Sequence, residues 1–515
     1  MLINIVTTPE IAASEERYTA LVAETINISK EQIAALRIKK KSIDARSRDI
    51  KVNLSIEVFV DGESPEVQKD IEYGDVSSGQ PIIIVGCGPA GLSAALRAIE
   101  LGYKPIIFER GKEVSERKKD IAAINQNKPI DPDSNYAFGE GGAGTYSDGK
   151  LFTRSKKRGD HAKALTILHQ HGASENILYE THAHIGSDKL PEVVKNIRAT
   201  ILNSGGEVHF SSRVVDLIIR SGKAVGVVDK DGNKTEGVGV ILATGHSARD
   251  IYELLNRKNI ALEEKSFAMG VRIEHNQALI DKIQYKRDNR DESLPAASYQ
   301  LVEQVAGRGV YSFCMCPGGF IVPASTSNGE CVVNGMSPSL RNSVFANSGI
   351  VTEVRAEDYA FLKEEHGVLA GLRLQQMFEK AAFEAGGGSQ IAPAQRVADF
   401  MIGKRSSSLP KTSYIPGCAS SDMEWLPKFI AYSLRGGIRG FENKMRGFTT
   451  NEAIIIGVES RTSSPLRIPR DNKTLQHIEI KRLYPCGEGA GYAGGIISSM
   501  VDGERCIDAL HLGTI

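Results

Sequence analysis

Six residues near the end of the first hundred have the types and spacing of a phosphate-binding loop. Residues 86–91 match the pattern G-x-G-x-x-G, follow an aliphatic run typical of a buried strand, and open a run of small residues typical of a helix. Gly86 permits the tight turn, Gly88 lets a pyrophosphate approach the backbone, and Gly91 lets the helix and strand pack closely. Glu109 ends the next aliphatic run, where a carboxylate accepts hydrogen bonds from a ribose. This context predicts a dinucleotide site.

A second group of glycines lies late in the sequence. Residues 483–491 form a short apolar run that passes into Gly487 and Glu488, and a helix is predicted from about Gly495 onward. Another aliphatic run ends in Ala-Thr-Gly at residues 243–245. NAD and FAD sites share the G-x-G-x-x-G pattern, so the first motif alone does not choose between them. The sequence has one complete copy of this pattern, which disfavours a separate NADPH-binding Rossmann domain.

Together these segments resemble a known group of flavoproteins. The sequence resembles the two-domain FAD enzymes related to glutathione reductase and p-hydroxybenzoate hydroxylase. It is more closely similar to the bacterial family of FAD-dependent dehydrogenases of the NAD-utilising type, through residues 138–151, 311–319 and 332–337. The resemblance implies FAD as the cofactor. It also implies that Gly487 and Glu488 bind the flavin ribityl chain and that the following helix points its N-terminus at the isoalloxazine.

The residues that we assign to FAD binding lie in these glycine-rich turns or at the ends of adjoining strands. They are Gly86, Gly88, Pro89, Ala90, Gly91, Glu109, Arg110, Gly142, Ala143, Gly144, Lys150, Val214, Thr244, Gly245, Gly487, Glu488, Gly495 and Ile496. The glycine-rich loop within residues 138–151 is expected near the flavin, where Lys150 would supply a cation.

Two arginines are candidates for binding a substrate and are our predicted catalytic residues. Arg272 lies on a predicted strand over residues 267–274, and Arg461 lies before the second glycine-rich turn, at Gly487 and Glu488. A guanidinium at the mouth of a flavin pocket can hold a carboxylate through two parallel hydrogen bonds. A salt bridge at the surface or between domains explains the same residues, and both interpretations remain open.

Three further motifs suggest chemistry by spacing. Residues 144–150 match a P-loop pattern, but Leu151 stands where a P-loop has Ser or Thr, so we do not expect ATP binding. The histidine pairs within residues 169–171 and 182–184 have no further ligands nearby in sequence, so no metal is predicted. The two cysteines of residues 314–316 are either a redox dithiol that exchanges electrons with the flavin or small buried residues beside a turn.

The elements that must hold these residues form three predicted parts, and the fold class is α/β. Residues 1–75 are a small N-terminal α/β module. Residues 80–264 and 454–515 are the two segments of one Rossmann-like FAD-binding domain, and residues 265–453 are an inserted mixed α+β substrate domain that covers the flavin.

The N-terminal module has its own local signals. A helix is predicted over residues 15–26, a second helix opens at Ser29, and alternating apolar residues predict a half-buried strand over residues 50–60. Residues 37–51 contain seven basic and two acidic residues. Such a run is either one solvated face of a strand or a docking site for RNA, although it lacks aromatic residues on which bases could stack.

Composition narrows the class of protein. The 515 residues include 63 basic and 63 acidic residues, which disfavours polyanion binding by the whole surface. Seven cysteines are too few, and odd in number, for a disulfide framework. The N-terminus has no basic segment before an apolar run, as a signal peptide would. No apolar run has the length of a membrane span. We therefore expect a cytoplasmic protein without a membrane partner.

Three functions are consistent with these observations. The first is an FAD-dependent oxidoreductase of dehydrogenase type that transfers a hydride between flavin N5 and a small organic substrate, with NAD(P)H as a diffusing reductant. The second is an RNA-associated flavoprotein whose basic N-terminal module docks a structured RNA. The third is a flavin-binding scaffold without turnover.

Overall fold

The computed structural model describes residues 1–66, 69–152 and 159–514. Its strands and helices follow in this order: β1 (Leu2–Thr7), α1 (Pro9–Ala12), α2 (Glu15–Ile26), β2 (Ile33–Asp44), β3 (Lys51–Val60), β4 (Pro81–Val85), α3 (Pro89–Glu100), β5 (Lys104–Phe108), α4 (Val114–Asn125), α5 (His161–Gln170), α6 (Leu190–Asn203), β6 (Glu207–His209), β7 (Val214–Arg220), β8 (Lys223–Asp229), β9 (Lys234–Glu236), β10 (Val240–Leu242), α7 (Arg249–Arg257), β11 (Glu263–Glu264), β12 (Phe267–Asn276), α8 (Gln277–Tyr285), β13 (Val302–Val305), β14 (Arg308–Cys316), β15 (Phe320–Pro323), β16 (Val333–Met336), β17 (Phe345–Val354), α9 (Lys363–His366), α10 (Ala370–Ala385), β18 (Ala392–Arg396), α11 (Val397–Ile402), β19 (Cys418–Ser420), α12 (Lys428–Lys444), β20 (Ile454–Glu459), β21 (Leu466–Arg467), β22 (Leu483–Pro485) and α13 (Ile496–Leu512).

A five-stranded parallel sheet forms the centre of the molecule. Its order is β22-β10-β4-β5-β6, and all four neighbouring pairs are parallel. Strand β4 is aliphatic and buried along most of its length because helices cover one face of the sheet, and α7 with the antiparallel sheet β7-β8-β9 covers the other. Strand β22 pairs with β10, so residues far apart in sequence share one sheet. The predicted α/β class with a parallel sheet is confirmed.

The inserted part of the chain is organised around a seven-stranded sheet. Its order is β13-β14-β17-β12-β20-β18-β19, and it is antiparallel except between β18 and β19. Strand β12 is buried along almost its whole length because β17 and β20 flank it and α12 and α8 contact it. The domain boundary that we predict from the sequence at residue 453 falls just before β20. It therefore assigns β20 to a different domain from the sheet to which this strand is hydrogen-bonded.

The N-terminal module is a three-stranded antiparallel sheet of order β1-β3-β2 whose apolar face packs against α2. The helix expected from Ser29 is wrong: one 3-10 turn forms at Lys30–Gln32, and the chain then continues as β2. The cap signal is real, since the Ser29 amide donates to Gln32 Oε1 at 2.9 Å. Pairing of β2 with β3 outweighs this local helix signal.

Within the described ranges, none of the helices combines the length and apolar character needed to cross a membrane.

Candidate functional site

The first glycine turn joins β4 to α3 with little room for side chains. Gly86 has a φ of +106°, and a Cβ built on it would lie 2.7 Å from a carbonyl oxygen at the end of β10. A Cβ on Gly91 would lie 1.9 Å from the Gly86 carbonyl oxygen. By contrast, a Cβ on Gly88 would meet only the Cα of Gly142, at 3.9 Å. The turn therefore leaves space at the N-terminus of α3, where the first amides of a helix lack intrahelical partners and favour an anion.

Glu109 ties this turn to its surroundings. Its buried carboxylate accepts hydrogen bonds from the amides of Cys87 at 2.9 Å, Gly111 at 2.9 Å and Gly139 at 3.0 Å. A carboxylate has about four acceptor positions, so one remains for a further donor such as a ribose hydroxyl. Glu109 thus also organises the loops on both sides of the site.

Glu109→Gln is expected to lower the free energy of unfolding by about 1 to 3 kcal/mol, because the amide NH2 group cannot accept and leaves at least one buried backbone N–H without a partner. Urea denaturation monitored by circular dichroism measures this change. Glu116→Gln is the matched control, since the Glu116 side chain is 54% exposed and pairs with Lys119. Equal stability of the two variants would contradict the structural role of Glu109.

The structure brings the two distant glycine turns together. A Cβ built on Gly487 would lie 3.1 Å from the Cβ of Ala90, at the start of α3. One built on Gly144 would lie 3.4 Å from Ile496 and 3.5 Å from Pro89, the first residues of α13 and α3. The N-termini of both helices and the loop containing the 3-10 turn Gly142–Gly144 therefore border one region.

An ion pair stabilises the second glycine turn, at Gly487. The amide of Gly487, with a φ of +76°, donates to Asp502 Oδ2 at 2.8 Å, and the Arg470 guanidinium donates to both oxygens of Asp502, at 2.6 and 3.0 Å. The next side chain, Glu488, lies 3.6 Å from Nδ1 of His246, which follows the strand-end residues Thr244 and Gly245.

Three buried side chains beneath this turn have the composition of a metal site. Cys486, Asp502 and Cys506 offer ligand atoms within 4.8 Å of one another. Arg470 Nη1 lies 3.0 Å from Asp502 and 3.5 Å from Cys506 Sγ. This guanidinium already supplies the positive charge that a metal would bring. We therefore assign these three side chains a structural role, which is to stabilise the turn at Gly487.

A cavity of about 450 Å³ opens at the N-terminus of α13. A Cβ built on Gly494 or Gly495 would meet no atom within 4 Å, so the helix start is open on this side. The opposite walls come from Phe152, from His161 at the start of α5, from Gln300 before β13 and from Phe313 on β14. The side chains that line the cavity outside the glycines are Phe152, His161, Gln300, Phe313, Tyr492, Ala493, Ile496, Ile497, Ser498, Val501, Asp502 and Arg505.

Three of the other residues assigned to the cofactor, Thr244, Gly245 and Ala143, adjoin this region. The carbonyl oxygen of Thr244 would lie 1.9 Å from a Cβ on Gly489, so the end of β10 touches the second turn, and a Cβ on Gly245 would meet nothing within 4 Å. Ala143 is the middle residue of the 3-10 turn, and Val214 is buried at the start of β7.

The two predicted basic residues make protein contacts. The Arg110 guanidinium pairs with Asp250 and lies 4.4 Å from the ring centroid of Phe138. Lys150 Nζ contacts the carbonyl oxygen of Met315 in the inserted sheet. Lys150 therefore links the glycine-rich loop to β14.

Arg272 is wholly enclosed in the inserted sheet. It donates to Glu459 at 2.6 Å, to Asn347 at 2.8 Å and to the carbonyl oxygen of Cys314 at 2.7 Å, and its side chain is 0% exposed. Burial lowers the pKa of Arg272, but the charge of Glu459 outweighs it, so the net pKa lies above the ordinary value. Arg272 does not line the cavity.

Arg461 forms an ion pair between two parts of the chain. It donates to Glu379 on α10 at 2.9 and 3.0 Å and to Glu330 at 2.8 Å, while Arg249 on α7 donates to the same Glu379 at 2.7 and 2.8 Å. These contacts match the interdomain salt bridge that the sequence left open beside substrate binding. Arg461 also lies away from the cavity lining.

Sequence reasoning missed most residues that line the cavity. Ser498, Val501, Asp502 and Arg505 recur at the spacing of one helix face, so extending the α13 pattern from Gly495 was a signal that could have found them. Phe313 on β14 and Gln300, which precedes β13, reach the cavity through tertiary packing, for which the sequence carries no local signal.

Two family models match the chain. Residues 266–462 match a model described as an FAD-dependent protein, C-terminal domain-like, and residues 1–59 match a domain of unknown function. FAD is therefore the cofactor, and the prediction of FAD is confirmed.

The residues around the paired helix starts fit this cofactor. Any side chain at position 88 would fill the space in front of the α3 N-terminus. The buried carboxylate of Glu109 retains one acceptor position. The open start of α13 borders a cavity. A dinucleotide needs these three features for its pyrophosphate, ribose and ring system.

Solved structures give more distant matches. A geranylgeranyl bacteriochlorophyll reductase-like protein from Thermoplasma acidophilum is 13% identical, with a TM-score of 0.36, and the match covers 85% of this chain and 79% of that chain. The structure of CtdE in complex with FAD is 11% identical, with a TM-score of 0.31, over 85% of this chain and 84% of that chain. We infer no activity from either match.

A match to an uncharacterized protein of Clostridium beijerinckii spans nearly the full length of both chains. The two are 42% identical over 507 residues, which is 94% of this chain and 93% of that protein. At this identity and coverage the chain belongs to the same family as the Clostridium beijerinckii protein, and its residues 266–462 match the FAD-dependent C-terminal domain model.

Proposed function

We propose that the protein is an FAD-dependent oxidoreductase of dehydrogenase type. In this proposal a hydride moves between flavin N5 and a small organic substrate, with NAD(P)H as a diffusing reductant. The observation that carries the proposal is the cavity of about 450 Å³ between the start of α13 and the inserted sheet. Its size suits a small molecule, and pockets of this kind between domains are common enzyme sites.

The start of α13 would tune the cofactor. FAD, when bound, supplies the two-electron chemistry. The unpaired amides after Gly495 and the helix dipole favour negative charge by roughly 0.3 to 2 kcal/mol. Because about 1.4 kcal/mol corresponds to about 30 mV for a two-electron couple, this helix would raise the flavin potential modestly.

The cavity wall offers groups that would orient a substrate. Phe152 and Phe313 supply apolar surface, and Arg505 supplies a partly exposed cation 3.8 Å from Asp502. Arg272 and Arg461 remain our sequence-based candidates, but each would have to leave a buried carboxylate to bind a substrate. Arg505 needs no such exchange and is therefore the favoured anchor for an anionic substrate.

Arg505→Gln is expected to slow flavin reduction by an anionic substrate roughly 10- to 100-fold at limiting substrate, because a charge-assisted hydrogen bond contributes about 1.5 to 3 kcal/mol. The measurement is anaerobic stopped-flow bleaching of the flavin with NADH, NADPH and a panel of small organic acids. Arg17→Gln, at an exposed position on α2, is the control. If no compound bleaches the flavin, the oxidoreductase proposal fails and a flavin-binding scaffold is favoured.

RNA docking is the alternative for the N-terminal module. Part of its basic run is paired within the module, since Arg37 and Lys39 lie 3.8 and 3.9 Å from Glu57 and Arg46 pairs with Asp44. Binding of tRNA at low salt, lost on removal of residues 1–75, would favour this alternative.

A further inference from the structure

Two cysteines lie at an irregular end of β14, directly after Phe313 of the cavity wall. Strand β14 departs from regular pairing with β17 between Phe313 and Cys316, and Cys314 has a φ of +43°. Non-glycine residues in this left-handed region often mark functional sites. Cys314 is partly exposed, whereas Cys316 is fully buried and its thiol donates to the carbonyl oxygen of Cys314 at 3.3 Å. The pair therefore consists of one partly exposed and one fully buried residue.

Two cations flank the pair from different parts of the chain. Arg272 Nη2 donates to the Cys314 carbonyl oxygen at 2.7 Å and lies 3.6 Å from Cys316 Sγ. Lys150 contacts the carbonyl oxygen of Met315, between the two cysteines. Positive charge next to a thiol favours the thiolate, which is the reactive form.

The two thiols are electrostatically unequal. The hydrogen bond with Cys316 and the charges of Lys150 and Arg272 lower the pKa of the Cys314 thiol. Their combined effect exceeds the opposing effect of burial, so this pKa lies well below its ordinary value. The same hydrogen bond and burial raise the pKa of Cys316 well above the ordinary value. A thiol of lowered pKa paired with a thiol of raised pKa is the arrangement found in many redox-active dithiols.

The position of the pair connects it to the FAD site. Phe313, which precedes Cys314 directly, lines the cavity at the start of α13. Lys150 ends the loop whose Gly144 approaches Ile496 of that helix. The cysteines thus follow directly after a residue of the cavity wall, and the loop beside the paired helix starts reaches the backbone between them through Lys150.

We propose that Cys314 and Cys316 form a redox-active dithiol that exchanges two electrons with the bound FAD. In the oxidative direction the Cys314 thiolate and the Cys316 thiol form one S–S bond and release two electrons and the Cys316 proton. FAD accepts these two electrons and the proton, so charge and atoms balance. The proposal rests on the FAD site described above, but it needs no organic substrate. It makes the dithiol an internal electron store for the proposed oxidoreductase.

Anaerobic reductive titration with dithionite tests the exchange. Protein oxidised beforehand with diamide is expected to take up about twice as many electron equivalents per FAD as either Cys314→Ser or Cys316→Ser, because flavin and disulfide are both two-electron couples. Cys418→Ser is the matched control, since Cys418 is also partly exposed and lies on β19 at the opposite edge of the same sheet. Equal uptake by wild type and both β14 variants would overturn the proposal.

Differential alkylation of the unsubstituted protein gives a second readout that does not depend on the variants. Mass spectrometry is expected to find a Cys314–Cys316 disulfide after diamide treatment and two alkylated thiols after dithionite reduction of the flavin, with Cys418 alkylated in both states. Free thiols at both positions throughout, or a disulfide that persists when the flavin is reduced, would overturn the dithiol. Because dithionite replaces the organic donor, a failed substrate panel would count against the proposed function alone.

Discussion

Gly88→Ala is expected to weaken FAD binding roughly 100-fold or more while leaving the fold intact. Gly88 is the N-cap of α3, with a φ of −82°, which alanine adopts without strain. The added Cβ would approach only Gly142 Cα, at 3.9 Å, so the protein itself has room for it. The methyl group would instead occupy the space through which a pyrophosphate reaches the backbone amides at the helix start.

The size of this effect follows from the bonds that are lost. A hydrogen bond to a charged group contributes about 1.5 to 3 kcal/mol, so losing two costs roughly 3 to 6 kcal/mol. Since 1.4 kcal/mol is a factor of ten in affinity, the dissociation constant should rise by about 100-fold at the lower limit.

Titration of the apoprotein with FAD, followed by flavin fluorescence, measures the affinity, and thermal unfolding of the apoprotein checks the fold. Gly74→Ala is the matched control because Gly74 is exposed and a Cβ there would meet nothing within 4 Å. Wild-type FAD affinity in Gly88→Ala would show that the cofactor phosphates bind elsewhere.

Glu379→Ala is expected to destabilise the protein by about 3 to 5 kcal/mol, the usual cost of leaving a buried charge uncompensated. Glu379 is 0% exposed and lies between Arg249 and Arg461, whose side chains are 10% and 7% exposed. Glu330 pairs with the same two guanidiniums, so four charges balance in the native protein. Removing Glu379 leaves two buried cations with one carboxylate, at the contact between α7 and the inserted part.

The pH dependence of stability should change in the same variant. Burial raises the pKa of the Glu379 carboxyl, but Arg249 and Arg461 outweigh burial, so its folded pKa lies well below the ordinary value. A depressed folded pKa gives stabilisation that is fully present above the unfolded pKa of about 4.3 and is lost as the pH falls below it. Part of the acid destabilisation of wild type should therefore be absent in Glu379→Ala.

Urea denaturation at several pH values from about 3 to 7, a range that includes the unfolded pKa of a glutamate, measures the loss of stability and its pH dependence. Glu365→Ala is the matched control because the Glu365 side chain is 81% exposed and approaches only His366, at 3.7 Å. A loss of stability in Glu379→Ala no larger than in this control would show that the ion-pair network contributes little.

Local sequence patterns determined the elements that bind the cofactor. The aliphatic run before Gly86, the small residues after it and the carboxylate at Glu109 specify a strand, a tight turn and a helix start within a short stretch of chain. The start of α13 and the long strand β12 were predicted for the same reason, since periodicity and glycine spacing act over a few residues. FAD as the cofactor followed from these signals and from the family resemblance.

Tertiary structure decided which partner each side chain meets. Ser29 carries a helix cap, yet pairing with β3 makes the following residues a strand. Arg272 and Arg461 have the residue type of substrate anchors, yet buried carboxylates from distant segments engage them. Phe313 lines the cavity because β14 lies in a sheet that faces the start of α13. Backbone preference is set by near neighbours and can be predicted from the sequence, whereas charge pairing and cavity shape depend on contacts between residues hundreds of positions apart.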